Sequence, residues 1–104
     1  MRVFELLNSI EAVENLDLIS VPSLFSVKIN YCKMNSINFV QSLMQLRNIN
    51  IANNRIKSLI PIELLTQLQY LNVSNNHIAS IVPIYNLVNL KYLIVSNNLL
   101  RNEE

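Results

Sequence analysis

Residues 46–56 read LRNINIANNRI, residues 68–78 read LQYLNVSNNHI, and residues 90–100 read LKYLIVSNNLL. Leu46, Ile49, Ile51, Asn54 and Ile56 return as Leu68, Leu71, Val73, Asn76 and Ile78, then as Leu90, Leu93, Val95, Asn98 and Leu100, always 22 residues on. One step back, residues 24–34 (LFSVKINYCKM) keep the apolar positions as Leu24, Val27, Ile29 and Met34, with Cys32 in the place of Asn. The second half of each unit is also periodic: Ile37, Val40, Leu43; Leu59, Ile62, Leu65; Ile81, Ile84, Leu87; and Pro61 and Pro83 share the step of 22. A fixed period of this length means stacked copies of one structural unit. The units run 24–45, 46–67, 68–89 and, in part, 90–104.

In the L-x-L core of each unit the two apolar side chains share one face, because strand side chains alternate with period two. Parallel pairing of successive strands then stacks Ile29, Ile51, Val73 and Val95 in one apolar column, which no single unit has the means to bury. Beyond the strand the chain turns inside the stack, where backbone amides and carbonyls need partners away from water. Asn54, Asn76 and Asn98 supply donors and an acceptor, whereas Cys32 offers only a weak S–H. The return segments, with i, i+3 apolar spacing and Pro near the start, suit a short helical or 3-10 turn on the convex side.

Composition excludes much chemistry. The chain has no Gly in 104 residues, which removes phosphate-cradling loops, dinucleotide fingerprints and nucleophile elbows together. With one Cys and one His, neither an internal disulfide nor a conventional zinc site is available. No cofactor is expected. Apolar runs fall short of a membrane span, and Glu5 interrupts the N-terminal run Val3, Phe4, Leu6, Leu7 without a cleavage site after it. An intracellular protein, cytoplasmic or nuclear, is the expectation.

The ends depart from the period. Stepping back 22 residues from Leu24, Val27 and Ile37 of the first unit puts Arg2, Glu5 and Asn15 at core positions, so residues 1–23 are expected to form an N-terminal cap or a degenerate repeat. Val3, Leu6, Leu7, Ile10 and Val13 fall at helical spacing, which favours a capping helix; the alternative turns Leu7, Ala12, Leu18 and Val21 inward. At the other end the sequence stops after the strand of its last unit, which leaves the edges of Leu90, Leu93, Val95 and Leu100 for a partner or a second copy to cover, unless the chain is cut short.

The repeated pattern resembles the leucine-rich repeat family, with its L-x-x-L-x-L-x-x-N/C-x-L signature, over residues 24–104. In length it resembles the 22-residue subclass typified by a regulatory subunit of protein phosphatase 1. The resemblance implies an α/β fold, a right-handed solenoid with a parallel concave β-sheet and short convex helical or 3-10 segments. It also implies protein binding through the concave face.

Strand residues that alternate with the core face the concave side: Ser26, Lys28, Asn30; Asn48, Asn50, Ala52; Tyr70, Asn72, Ser74; Tyr92, Ile94, Ser96. Phe25, Tyr31, Lys33, Arg47, Arg55, His77 and Lys91 flank them on the rim. This set contains no acid, and between Leu18 and Asn102 the only acid is Glu63. An electropositive surface results, suited to an acidic partner or a phosphate backbone. Tyr with Arg is the composition of interface anchors. Lys28, Tyr31, Arg47, Asn48, Asn50, Arg55, Tyr70, Asn72, His77, Lys91 and Tyr92 are therefore the candidate partner-binding residues.

Catalysis is not expected. His77 has Ser74 and Asn75 nearby but no third group to orient it, and Cys32 points inward two units away. Asn72, Val73 and Ser74 form a glycosylation sequon, which matters only in a secreted protein. A non-enzymatic module that binds a protein is the leading reading. The alternative is a structural subunit of a ribonucleoprotein particle, from similarity to the leucine-rich subunit of a spliceosomal small ribonucleoprotein, with the basic face near RNA.

Overall fold

The computed structural model describes residues 3–7 and 24–101. Five parallel strands form one sheet in chain order: β1 (Val3–Leu7), β2 (Ser26–Asn30), β3 (Asn48–Asn50), β4 (Tyr70–Asn72) and β5 (Tyr92–Ile94). From β2 to β5 each strand pairs with the next at a step of 22, as in Val27 with Ile49 and Ile49 with Leu71. Between strands the chain returns through three 3-10 turns, η1 (Asn38–Ser42), η2 (Ile60–Ile62) and η3 (Val82–Ile84). Each strand and its return make one coil of a solenoid, as the period requires.

The core is the set of repeating aliphatic positions. Leu24, Leu46 and Leu68 form one buried column; Val27, Ile49 and Leu71 a second; Ile29, Ile51 and Val73 a third; Leu43, Leu65 and Leu87 close the convex side. Parallel strands need covering on their core face and have no hairpin to pair them locally, so this burial across coils is what holds the sheet together. Among the described residues the fourth coil packs against the third alone: Leu71 is fully buried, whereas its counterpart Leu93 is 38% exposed.

Inside each turn the asparagine ladder works as the sequence implies. Asn54 Oδ1 accepts from the backbone N–H of Cys32 and of Met34, each at 3.1 Å, and its Nδ2 donates to the carbonyls of Ile29, Ile51 and Ala52. Asn76 accepts from Ile56 N–H and donates to Ile51, Val73 and Ser74; Asn98 accepts from Ile78 N–H and donates to Val73, Val95 and Ser96. Cys32 donates its thiol to the Asn30 carbonyl at 3.1 Å.

Two local devices were not read from the sequence. The first Asn of each Asn-Asn pair, Asn53, Asn75 and Asn97, sits at positive φ, the left-handed conformation that Asn tolerates better than other side chains in a chain without Gly. In the first coil Tyr31 and Lys33 take that conformation instead, with φ of 58° and 55°. Ser36, Ser58 and Ser80, also 22 apart, accept the backbone N–H of Asn38, Ile60 and Val82 at 3.2 Å and so tie down the start of each 3-10 turn. Pro61 and Pro83 sit in the first positions of η2 and η3, where a missing N–H costs nothing.

The N-terminal segment corrects the sequence reading. Residues 3–7, expected to begin a capping helix, form strand β1 and pair in parallel with β2. The register is Phe4 with Val27 and Leu6 with Ile29, a step of 23 rather than 22. A fixed step of 22 places Glu5 and Leu7 opposite Val27 and Ile29; one additional residue in the connection moves Phe4 and Leu6 there. Ile10, Val13, Ala12, Leu18 and Val21, which the two expectations also used, lie outside the described residues.

Candidate interaction surface

The concave face is built from strand residues that alternate with the core. Its first row is Ser26, Asn48, Tyr70 and Tyr92, each beside the next across paired strands. Asn48 and Tyr70 are half-buried, and Tyr92 is 65% exposed. The rings of Tyr70 and Tyr92 lie 6.5 Å apart between centroids, tilted at 47°, within the range where aromatic pairs attract. The second row is Lys28, Asn50, Asn72 and Ile94. Lys28, Asn50 and Asn72 are half-buried there, and Ile94 is exposed.

Side-chain bonds hold this second row in place. Asn30 Nδ2 donates to Asn50 Oδ1 at 3.2 Å, and Asn50 Oδ1 also accepts the Ala52 N–H. Asn72 Oδ1 accepts from Ser74 N–H at 3.1 Å and from Ser74 Oγ at 2.8 Å. Among the described residues no buried side-chain polar atom lacks a partner, so the amides of Asn50 and Asn72 are pre-positioned rather than searching for bonds.

The third row differs from the sequence reading. Asn30, Ala52 and Ser74 alternate correctly with the core but are buried, at 8%, 3% and 8% exposure. They lie where the strand runs into the inner turn, so alternation alone overstates the open surface by one row. A second correction concerns charge. The strand β1 register sets Glu5, which is exposed, beside Lys28, so the concave set is not free of acid at its N-terminal edge.

The rim residues stand where the repeat places them. Tyr31, Lys33, Arg47, Arg55, His77 and Lys91 are all exposed, while Phe25 is half-buried. His77 and Cys32 do not meet: the thiol is buried and directed at the Asn30 carbonyl, whereas the imidazole is on the rim. Ser74 Oγ donates to Asn72, and Ser80 Oγ accepts the Val82 N–H, so the two hydroxyls three residues either side of His77 are already engaged. No group of three or more His, Cys, Asp or Glu among the described residues is arranged to hold a metal ion. On the convex side an open groove of about 700 Å³ runs between η2 and η3, floored by Leu59, Ile60, Leu64, Val82 and Pro83; none of the candidate residues lines it.

Stacked strand-and-turn coils with an Asn at each inner turn define a leucine-rich repeat solenoid. Two leucine-rich repeat family models match, one over residues 45–66 and a two-copy one over residues 66–103. The chain belongs to the leucine-rich repeat family. No curated protein matches it by sequence.

Among solved structures the chain is similar to an internalin of Listeria monocytogenes, with 28% identity and a TM-score of 0.85 over 96% of this chain and 30% of that one. A second, internalin C2 of the same organism, is 25% identical with a TM-score of 0.76, covering 78% of this chain and 36% of that one. The leucine-rich repeat ectodomain of a receptor kinase from Arabidopsis thaliana shares the fold, with a TM-score of 0.69 at 24% identity over 86% of this chain and 51% of that one. The chain thus spans between 30% and 51% of the length of these structures. Leucine-rich repeat proteins generally act as protein-interaction modules.

Proposed function

We propose that this chain is a non-enzymatic interaction module that binds a partner protein through the concave face of its solenoid. The observation that carries the reading is the row Asn48, Tyr70, Tyr92: two paired rings and a half-buried amide, set on a sheet whose opposite face is the core. Rigid aromatic anchors of this kind lose little conformational freedom on binding and concentrate interface energy. Lys28, Asn50 and Asn72 form the row beside it, and Arg47, Arg55, His77 and Lys91 surround both with exposed donors.

The same reading assigns the chain to the 22-residue subclass resembling the phosphatase regulator, supported by the constant step of β2 to β5 and by 3-10 turns on the convex side. It also puts the chain inside the cell, in cytoplasm or nucleus, a reading supported by a sequence with a single cysteine, Cys32, which is buried. The partner is a protein with acidic character, a reading supported by the exposed cations Arg47, Arg55 and Lys91 around the concave face.

Capture from lysate followed by mass spectrometry tests the reading. The wild-type chain is expected to retain one protein that the Tyr70→Ala/Tyr92→Ala variant loses by about tenfold or more, at unchanged unfolding midpoint. Undiminished capture by that variant overturns the concave assignment. Retention of generic RNA with a steep salt dependence would transfer the reading to the ribonucleoprotein alternative.

A further inference from the structure

The two edges of the concave face differ in charge. Along the edge where the strands begin stand Phe25, Arg47, Gln69 and Lys91, so cations occupy alternate coils. Along the edge where the strands end stand Lys33, Arg55, His77 and Leu99 at the constant step of 22, all exposed. Three consecutive coils therefore carry a basic side chain in one column, with an apolar one next in line.

Backbone bonds pin this second column. Arg55 N–H donates to the Met34 carbonyl at 2.8 Å, His77 N–H to Ile56 at 2.8 Å, and Leu99 N–H to Ile78 at 2.9 Å. Such pairing sets neighbouring chains about 4.8 Å apart, so the column is a ladder with that rung spacing. Neither described acid stands in it: Glu5 is on β1, and Glu63 lines the convex groove. Beside the first rung, Tyr31 holds the left-handed conformation that the next three coils give to Asn53, Asn75 and Asn97, and Lys33 holds it where Arg55, His77 and Leu99 do not. Strain kept by a fold points to a use for the side chains it presents, and Tyr31 presents a ring that is 58% exposed.

We infer that the Lys33–Arg55–His77 ladder reads an acidic stripe on an α-helix of the partner, with Leu99 and Tyr31 packing against the stripe's two ends. The inference rests on the proposed concave-face function and adds which edge reads charge and in what partner geometry. Spacing decides the geometry. A helix repeats a face about every 5.4 Å, so over the three intervals from Lys33 to Leu99 it drifts from a 4.8 Å ladder by about 1.8 Å, which flexible Lys and Arg side chains absorb. An extended peptide repeats a face about every 6.7 Å and drifts by nearly 6 Å, more than one rung. The matching stripe has acids at i, i+3 or i+4, and i+7, with an apolar residue one turn further on the Leu99 side.

Binding of synthetic helical peptides to the full chain tests this. One peptide carries three Glu in a stripe with Leu one turn beyond; a second has the same composition with the Glu distributed around the helix; a uridine oligonucleotide of equal charge is the third probe. The striped peptide is expected to bind about fivefold more tightly than the distributed one, and Arg55→Glu/His77→Glu to weaken it about tenfold, clearly more than Arg47→Glu/Lys91→Glu weakens it. Each variant is checked for an unchanged unfolding midpoint. Equal binding of the two peptides, equal weakening by the two charge reversals, tighter binding of the oligonucleotide, or no peptide binding overturns the ladder. Partner capture that still depends on Tyr70 and Tyr92 in those cases leaves the broader concave reading standing; capture indifferent to both rings and ladder removes both.

Discussion

Asn54 and Asn76 show what a single inward amide does in a solenoid. Asn76 joins two coils through four hydrogen bonds, but most of its carbonyl partners have a second donor: Ile51 also accepts from Asn54, and Val73 from Asn98. The Ile56 N–H depends on Asn76 Oδ1. Replacement by Leu strands that amide and removes the remaining bonds, at a cost of about 2–4 kcal/mol. Asn54 carries five bonds and is the acceptor for two amides, Cys32 and Met34, so Asn54→Leu is expected to cost more than Asn76→Leu in urea unfolding. Tyr31 gives the opposite case. Its left-handed backbone costs a bulky side chain roughly 1–2 kcal/mol that Asn largely avoids. Tyr31→Asn is expected to raise the unfolding free energy by about 1 kcal/mol in urea titration at unchanged m-value while weakening partner capture, the trade expected where strain is kept for use.

At the scale of the element, the 3-10 turns are held by Ser hydroxyls more than by length. Ser58 Oγ receives the Ile60 N–H at the exposed entrance to η2, so Ser58→Ala is expected to cost about 0.5–1 kcal/mol, with water replacing part of the bond. The strands depend on burial instead. β3 has only three residues, and Ile51 just beyond it is fully buried between Ile29 and Val73. Ile51→Ala should cost about 2–5 kcal/mol through lost transfer energy and a residual cavity, whereas Val95→Ala, in the half-covered fourth coil, should cost clearly less by the same denaturation measurement. The inner asparagines Asn54, Asn76 and Asn98 and the L-x-L cores were legible in the sequence because each is a local pattern repeated at one step. The Ser36, Ser58, Ser80 column was equally periodic and was missed because polar positions on an exposed turn carry no hydrophobic signal.

Over the whole molecule, each coil contacts its neighbours and few others, so stability passes along the stack from coil to coil. Hydrogen exchange is expected to show the consequence: Ile51→Ala lowers protection across β2, β3 and β4 together, while Val95→Ala lowers it chiefly in β5. Uniform loss in both variants would mean a single cooperative unit. Charge behaves differently, because it depends on which strand lies beside which. The β1 register brings Glu5 to Lys28, so the electropositive surface read from residues 24–101 is interrupted at one end and continues along the edge of Lys33, Arg55 and His77.

By itself the sequence determined the coils from residue 24 onward, the inward columns and the inner asparagine ladder, because all follow from a step of 22 and the two-residue alternation of strands. Only the tertiary structure decided three things. Parallel pairing is non-local, so residues 3–7, where helical spacing suggested a capping helix, form strand β1 paired with β2 at a step of 23. The inner turns closed over Asn30, Ala52 and Ser74, which alternation alone had left open. The coil-to-coil backbone bonds at Arg55, His77 and Leu99 set scattered rim residues into one evenly spaced column, because spacing across coils is measured through space and not along the chain.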